Sequence, residues 1–191
     1  REVGLRVTVA SMADLAATEA PATLAGLVIL PPEGGREDAA FPHRAFELIQ
    51  RLGPALRAAG KCGAAVLTGV SRLDGAFGLL EGIPEGRDPI TGALAGIIKT
   101  AAREWPEVHA KAIDLSAVFG DDARAAAAIA RELCIDGPVE VGLRPDETIV
   151  LELESRPLRG VDPESLSPPP IAPGDVVVVT GGGRGVTAEA A

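Results

Sequence analysis

Tyrosine is absent from the 191 residues, and one tryptophan and four phenylalanines are the only aromatic side chains. The hydrophobic content is nevertheless 47%, so a folded core has to be built mainly from aliphatic side chains. Basic residues are also in the minority, because 18 Lys and Arg stand against 27 Asp and Glu, a formal net charge of −9. This balance argues against a nucleic-acid partner, which requires a positive surface.

Cysteine is scarce as well. Cys62 and Cys134 lie far apart, which excludes a CxxC redox pair and a disulfide framework. Together with His43 and His109 they form no closely spaced ligand pair, so we expect no zinc site. No apolar run approaches the roughly 18 residues of a membrane helix, and no secretory signal is evident. We therefore expect a cytoplasmic protein without a membrane partner.

Short β-prone runs alternate with helical patterns along most of the chain. This alternation is typical of an α/β fold in which helices flank a mainly parallel sheet. The predicted strands are Leu5–Ala10, Gly26–Leu30, Ala64–Thr68, Val108–Leu115, Val139–Leu143, Thr148–Leu153 and Asp175–Thr180.

Apolar spacing and capping residues predict the helices. A stripe over residues 39–59 indicates a helix that Gly53-Pro54 should kink or interrupt. Asp88 and Pro89 are suited to begin a helix that runs to Glu104. The sequence Ser11-Met12-Ala13-Asp14 resembles a capping box for a short first helix.

A further helix is expected to begin at Asp121-Asp122, where negative charge meets the positive end of the helix. Its predicted buried residues are Ala126, Ile129, Ala130, Leu133 and Cys134. In the helix that ends at Glu104, Gly92 and Gly96 suggest a close approach to another element. Lys99 and Arg103 lie on the opposite, polar face; a solvated surface is the favoured interpretation, and docking of an acidic carrier protein or a cofactor phosphate is the alternative.

The chain changes character after residue 156. Proline is frequent in residues 157–174, which predicts an extended linker. The run Asp175-Val-Val-Val-Val-Thr180 follows and is typical of a strand buried on both faces. Glycines come directly after it, and a glycine turn between a buried strand and a helix start is suited to bind phosphate.

Two segments resemble a known family. The sequence TGGGRGV, from Thr180 to Val186, resembles the TGxxxG cofactor loop of short-chain dehydrogenase/reductases. Residues 91–106, followed by 112–115, resemble the structural half of ketoreductase domains in modular polyketide and polyunsaturated fatty acid synthases. The sequence GGGRGVTAE, residues 181–189, is most similar to the ketoreductase domains of polyunsaturated fatty acid synthases.

The resemblance implies a domain with two α/β halves. Residues 1–156 correspond to a degenerate, Rossmann-like structural half without a cofactor, and residues 175–191 to the first βα piece of a catalytic half. That half binds NADPH and reduces a β-ketoacyl group on an acyl carrier protein. The implied partners are therefore the catalytic half of the same ketoreductase and the acyl carrier protein of the synthase.

The same resemblance assigns the site residues. Those expected around the cofactor pyrophosphate are Thr180, Gly181, Gly182, Gly183, Arg184, Gly185 and Val186. Many members have a further glycine where this chain has Thr187, which puts cofactor approach there in question. These reductases use a tyrosine hydroxyl as general acid, and the chain has none, so no catalytic residue is assigned and the chain alone is expected to be inactive. The alternative is a self-contained, non-catalytic α/β scaffolding or interaction domain.

Overall fold

The computed structural model describes residues 6–32, 38–63, 65–155, 172–180, 183 and 185–190. It divides the chain into two compact units, Arg1–Glu152 and Leu153–Ala191. The first unit contains the sheet and four helices, and the second contains the valine run and the glycine turn.

A five-stranded sheet forms the centre of the first unit. Strands β1 (Gly26–Ile29), β2 (Val66–Ser71), β3 (His109–Leu115) and β4 (Glu140–Leu143) are parallel, and β5 (Thr148–Val150) is antiparallel to β4. The strand order is β1-β2-β3-β4-β5. The predicted Rossmann-like α/β architecture is confirmed, because helices flank this mainly parallel sheet.

The predicted strand Leu5–Ala10 is wrong for its described part. Residues 6–10 are not in a strand, and Val7 and Val9 are 77% and 95% exposed. Alternation of apolar and polar residues favours a strand only where a neighbouring strand supplies hydrogen bonds, and β1 pairs with β2 alone.

Four helices accompany the sheet, and the first of them packs against the second. Helix α1 (Met12–Ala17) begins at Ser11, whose Oγ accepts a hydrogen bond from the Asp14 N–H at 3.1 Å, as the capping box predicts. Helix α2 (Phe41–Gly60) continues through Pro54, so of the two predicted effects, a kink or an interruption, the interruption is wrong. Pro54 lies on the exposed face, where solvent can satisfy the carbonyl that lost its N–H partner, while Leu52 and Leu56 are buried on either side.

Helix α3 (Ala93–Glu104) follows a 3₁₀ turn over Pro89–Gly92, which Asp88 caps by accepting a hydrogen bond from the Ile90 N–H at 3.0 Å. This confirms the predicted helix start. At the other end, Trp105 packs against α2, where a Cβ added to Gly53 would lie 2.7 Å from the indole ring.

The core lies on both faces of the sheet, because successive residues of a strand point to opposite sides. Leu67, Ala110 and Ala112 belong to the cluster that includes α2 and α3, whereas Ile113 and Leu115 belong to the cluster that includes helix α4 (Asp122–Glu132). The first cluster contains most of the aliphatic side chains of the core.

The close approach of α3 to the sheet occurs at a glycine other than the two expected. A Cβ added to Gly96 would have no atom within 4 Å, and one added to Gly92 would meet only Leu73 at 3.5 Å. The tight contact is at Gly69 of β2, where an added Cβ would lie 2.9 Å from Ile98. Gly96 therefore approaches no described element within this unit, and its side of the helix is exposed; a place at the interface between the two halves of the domain stays a prediction.

Helix α4 begins at Asp121 as predicted, with the Asp121 carboxylate accepting from the Ala123 N–H at 2.8 Å. Its buried face was predicted one position out of register. Ala126, Ala130 and Cys134 are exposed, Ile129 and Leu133 are half-buried, and the fully buried residues are Ala125 and Glu132. The prediction missed the buried face because Glu132 belongs to it, and an apolar pattern assigns a glutamate to the surface.

The second unit contains no strand among its described residues. Residues 175–179 have no strand partner, and Val176 and Val178 are 90% and 85% exposed. The predicted buried strand Asp175–Thr180 is therefore not formed in this chain, since a strand requires a neighbour for its N–H and C=O groups. A short helix, α5 (Val186–Ala190), follows the glycine turn.

Candidate functional site

The glycine turn is the site that the sequence predicts. Thr180, Gly183, Gly185 and Val186 are exposed, and Gly181, Gly182 and Arg184 lie outside the described residues. Gly185 has a φ of +68°, a left-handed conformation that favours glycine, and α5 begins at the next residue. The expected passage from turn to helix is therefore present.

The described glycines of this turn have open space around their backbone. A Cβ added to Gly183 or Gly185 would meet no atom within 4 Å, so the backbone is open to a ligand at both positions. Backbone that can approach a pyrophosphate closely is the reason for glycine in dinucleotide-binding turns. The open backbone at Gly183 and Gly185 is compatible with such a group.

The carboxyl ends of the strands in the first unit are the second place where this class of fold can bind a ligand. In open α/β sheets, ligands bind outside the carboxyl ends of the strands where the strand order reverses. The order of the described strands runs from β1 to β5 without a reversal. At the carboxyl ends of β2 to β4, a segment that we term the β2 loop, residues 72–82, packs instead.

Asp114, near the end of β3, holds the first half of the β2 loop. The residue is fully buried, and its carboxylate accepts four hydrogen bonds. Ser71 Oγ donates at 2.7 Å and the Leu73 N–H at 2.9 Å to Oδ1; the Gly75 N–H donates at 2.7 Å and the Phe77 N–H at 2.9 Å to Oδ2. Neither oxygen has capacity left for strong contact with a ligand.

Asp74 holds the second half of the β2 loop and is 2% exposed. Its carboxylate accepts from four backbone N–H groups at 2.7–3.1 Å, those of Ala76, Gly78, Leu80 and Glu81. Burial by itself raises the pKa of Asp74, but these N–H donors outweigh it and hold the pKa below its usual value. The carboxylate is therefore kept charged as a structural centre of the loop.

Close backbone packing fixes the β2 loop against the sheet. A Cβ added to Gly142 of β4 would lie 2.0 Å from the carbonyl oxygen of Gly75, so only glycine fits there. Arg144, which follows β4, binds Glu81 of the loop at 2.6 Å. The loop thereby closes the carboxyl edge of this sheet with its own backbone.

A second buried charge lies under α4. The side chain of Lys111 in β3 is fully buried, and its ammonium group binds Glu132 Oε1 at 2.7 Å. Sequence reasoning missed Asp74, Asp114 and this pair. The available signal was a charged residue within an otherwise apolar strand, as in Lys111-Ala-Ile-Asp114-Leu.

Of the two basic residues predicted on the polar face of α3, Arg103 is exposed and Lys99 has a partner within the chain. Lys99 binds Glu140 at 2.8 Å, so this lysine ties α3 to β4. No group of three or more His, Cys, Asp or Glu side chains suited to a metal ion occurs in the described part of the chain. Over the same residues, no helix is long and apolar enough to cross a membrane.

The chain thus contains a Rossmann-like α/β unit in which the β2 loop covers the carboxyl ends of the strands, and an exposed glycine turn follows this unit in the sequence. Among curated proteins, the chain is similar to a polyunsaturated fatty acid synthase subunit of Thraustochytrium sp. (strain ATCC 26185 / S-3). The two are 35% identical over 128 residues, which cover 62% of this chain and 4% of that relative. No family model and no solved structure matches. The chain is therefore related to a region of a polyunsaturated fatty acid synthase and spans a small part of such a protein's length.

Proposed function

We propose that the chain is the structural half, with the beginning of the catalytic half, of an NADPH-dependent β-ketoacyl reductase domain in a polyunsaturated fatty acid or polyketide synthase. The relationship to a fatty acid synthase supports the biosynthetic context. The resemblance of the glycine turn to a reductase cofactor loop supports the type of domain. The proposed partners are the catalytic half of the same domain and the acyl carrier protein.

The observation that carries this proposal is the exposed valine run in front of the glycine turn. Four consecutive valines, Val176–Val179, have exposed side chains although their sequence is that of a buried strand. Exposed apolar groups of this extent are typical of a surface that another part of a protein covers. Pairing with further strands of a catalytic half would bury them.

The closed first unit fits a bracing role. The two carboxylates buried at the sheet edge, Asp74 and Asp114, are fully engaged by the Ser71 hydroxyl and by N–H groups of the β2 loop, so neither is free to act as an acid or base where ligands usually bind. The absence of tyrosine removes the general acid that such reductases use. In this proposal the first unit supports the fold, and the second begins the cofactor site.

Within the proposed site, the glycine turn lies against the cofactor pyrophosphate. Gly185 supplies the left-handed backbone that leads into α5, and Arg184 is positioned in the sequence to approach a phosphate of NADPH. The cofactor supplies the hydride; this chain supplies binding and orientation.

Nucleotide binding by a polypeptide that carries this chain together with whatever follows it in its gene tests the proposal. Gly185→Val places a β-branched side chain at a positive φ in the turn and should weaken NADPH binding by at least about tenfold. Gly174→Val is the matched control, because Gly174 also has a positive φ, +99°, and open space but precedes the valine run. We expect this control to bind NADPH as the parent does.

A folded polypeptide that neither binds NADPH nor reduces a β-ketoacyl thioester would favour the scaffolding alternative, in which the glycine turn merely connects two elements. A downstream Tyr-xxx-Lys with a preceding Ser would favour the reductase, and a complete continuation without it would favour the scaffold.

A further inference from the structure

Two fully buried polar residues lie side by side on the face of the sheet that α4 covers. Thr68 of β2 and Lys111 of β3 are register partners in the sheet, and both are 0% exposed. Lys111 points to the face that α4 covers, since its ammonium group binds Glu132 of that helix. Thr68 lies beside it on the same face, because paired residues of neighbouring strands point to the same side.

The hydrogen-bonding capacity of this pair is not filled by protein atoms. A lysine ammonium group has three donors, and in the described part of the chain that of Lys111 donates one hydrogen bond, to Glu132. Thr68 Oγ1 has no hydrogen-bond partner among those residues. Buried polar groups in proteins are normally satisfied, by protein or by ordered water.

The charges of the site select its occupant. The ammonium group repels a metal ion, and the carboxylate of Glu132 already neutralises the lysine, so no anion is needed. A molecule that fits must accept a hydrogen bond from Nζ and bond with a hydroxyl group. Gly137 also borders the ammonium group, because a Cβ added there would lie 3.9 Å from Lys111 Nζ.

A cavity lies beside the preceding residue pair on the same face of the sheet. His109 pairs with Val66, two residues before Lys111 and Thr68, and both line a cavity of about 370 Å³ beside the end of α4. His109 Nε2 is also buried, and no described residue bonds to it. A second buried polar atom without a described partner therefore lies two residues along the same face of the sheet.

We propose that an ordered water molecule binds between Thr68 Oγ1 and Lys111 Nζ as a fixed part of the contact between α4 and the sheet. It hydrates the buried cation on the side that Glu132 does not reach and satisfies the threonine hydroxyl. The site belongs to the first unit and does not depend on the proposed reductase function.

A high-resolution crystal structure of the chain tests the proposal directly. We expect density for one water oxygen within about 2.7–3.2 Å of both Thr68 Oγ1 and Lys111 Nζ. The proposal is overturned if Thr68 Oγ1 bonds directly to a protein group, or if no solvent density lies between the two atoms.

Thermal unfolding supplies a second test whose sign separates the alternatives. Thr68→Val keeps the shape and removes the hydroxyl, so loss of a water-satisfied bond should lower the melting temperature by about 2–4 °C. A dry, unpaired hydroxyl predicts the opposite, because removing it relieves an uncompensated burial. Thr100→Val is the control, since that residue lies on the exposed face of α3, and its shift should stay within about 1 °C. An unchanged or higher melting temperature for Thr68→Val overturns the proposal.

Discussion

Replacement of Asp114 by asparagine should unfold the β2 loop before the rest of the first unit. The carboxylate accepts from Ser71 Oγ and the Leu73 N–H through one oxygen, and from the N–H groups of Gly75 and Phe77 through the other. An asparagine presents an NH₂ group in place of one oxygen, so two buried donors lose their acceptor. Each unsatisfied buried donor costs about 1–3 kcal/mol, which gives a loss of about 2–6 kcal/mol.

Chemical denaturation followed by circular dichroism measures this loss, and hydrogen exchange at the amides of Gly75 and Phe77 localises it. Asp136→Asn is the control, because Asp136 is exposed, and it should change the free energy of unfolding by less than about 0.5 kcal/mol. If Asp114→Asn cost less than about 1 kcal/mol and left the exchange of both amides unchanged, Asp114 would not hold the loop.

Three other perturbations test the packing of the first unit. The pKa of Asp74 is lowered in the folded state, so its contribution to stability is present above its unfolded pKa and is lost as the pH falls below about 4. In a plot of the free energy of unfolding against pH, Asp74→Asn should therefore make the decrease at acid pH less steep. Gly142→Ala should lower the free energy of unfolding by about 1–3 kcal/mol because its Cβ meets backbone, whereas Gly96→Ala should raise it by up to about 1 kcal/mol. Equal effects of the two variants in chemical denaturation would contradict the assigned contacts. Lys111→Met should lower the free energy of unfolding by about 3–5 kcal/mol because it leaves Glu132 unpaired, and adding Glu132→Leu should recover most of this loss. A double variant as unstable as the single one would show that the pair itself is required.

Periodicity and capping predicted most of the first unit. Asp88 and Asp121 begin their helices as their side chains suggest, and β1 to β5 all fall within or near predicted strands. These features are predictable because capping and alternation are local. Tertiary contacts decided the exceptions, since α2 continues through Pro54 where its buried face holds it, and residues 6–10 have no strand to pair with.

The closed sheet edge could not be predicted from local pattern. The partners of Asp114 lie 37–43 positions away along the chain, and the contact between Gly75 and Gly142 joins a loop to a distant strand. Lys111 and Glu132 similarly looked like surface residues until the fold brought them together. For the glycine turn, the local sequence predicts a phosphate ligand, and this stays a prediction. Burial of the preceding valines depends on strands that the described chain does not provide.

The most direct measurement is NADPH titration of the polypeptide that carries this chain with its continuation, with β-ketoacyl thioester reduction recorded on the same sample. The account predicts saturable binding and reduction by that polypeptide, weaker binding for Gly185→Val, and unchanged binding for Gly174→Val. A folded sample that shows no nucleotide binding, or one in which both glycine variants bind as the parent does, would contradict the assignment of the glycine turn.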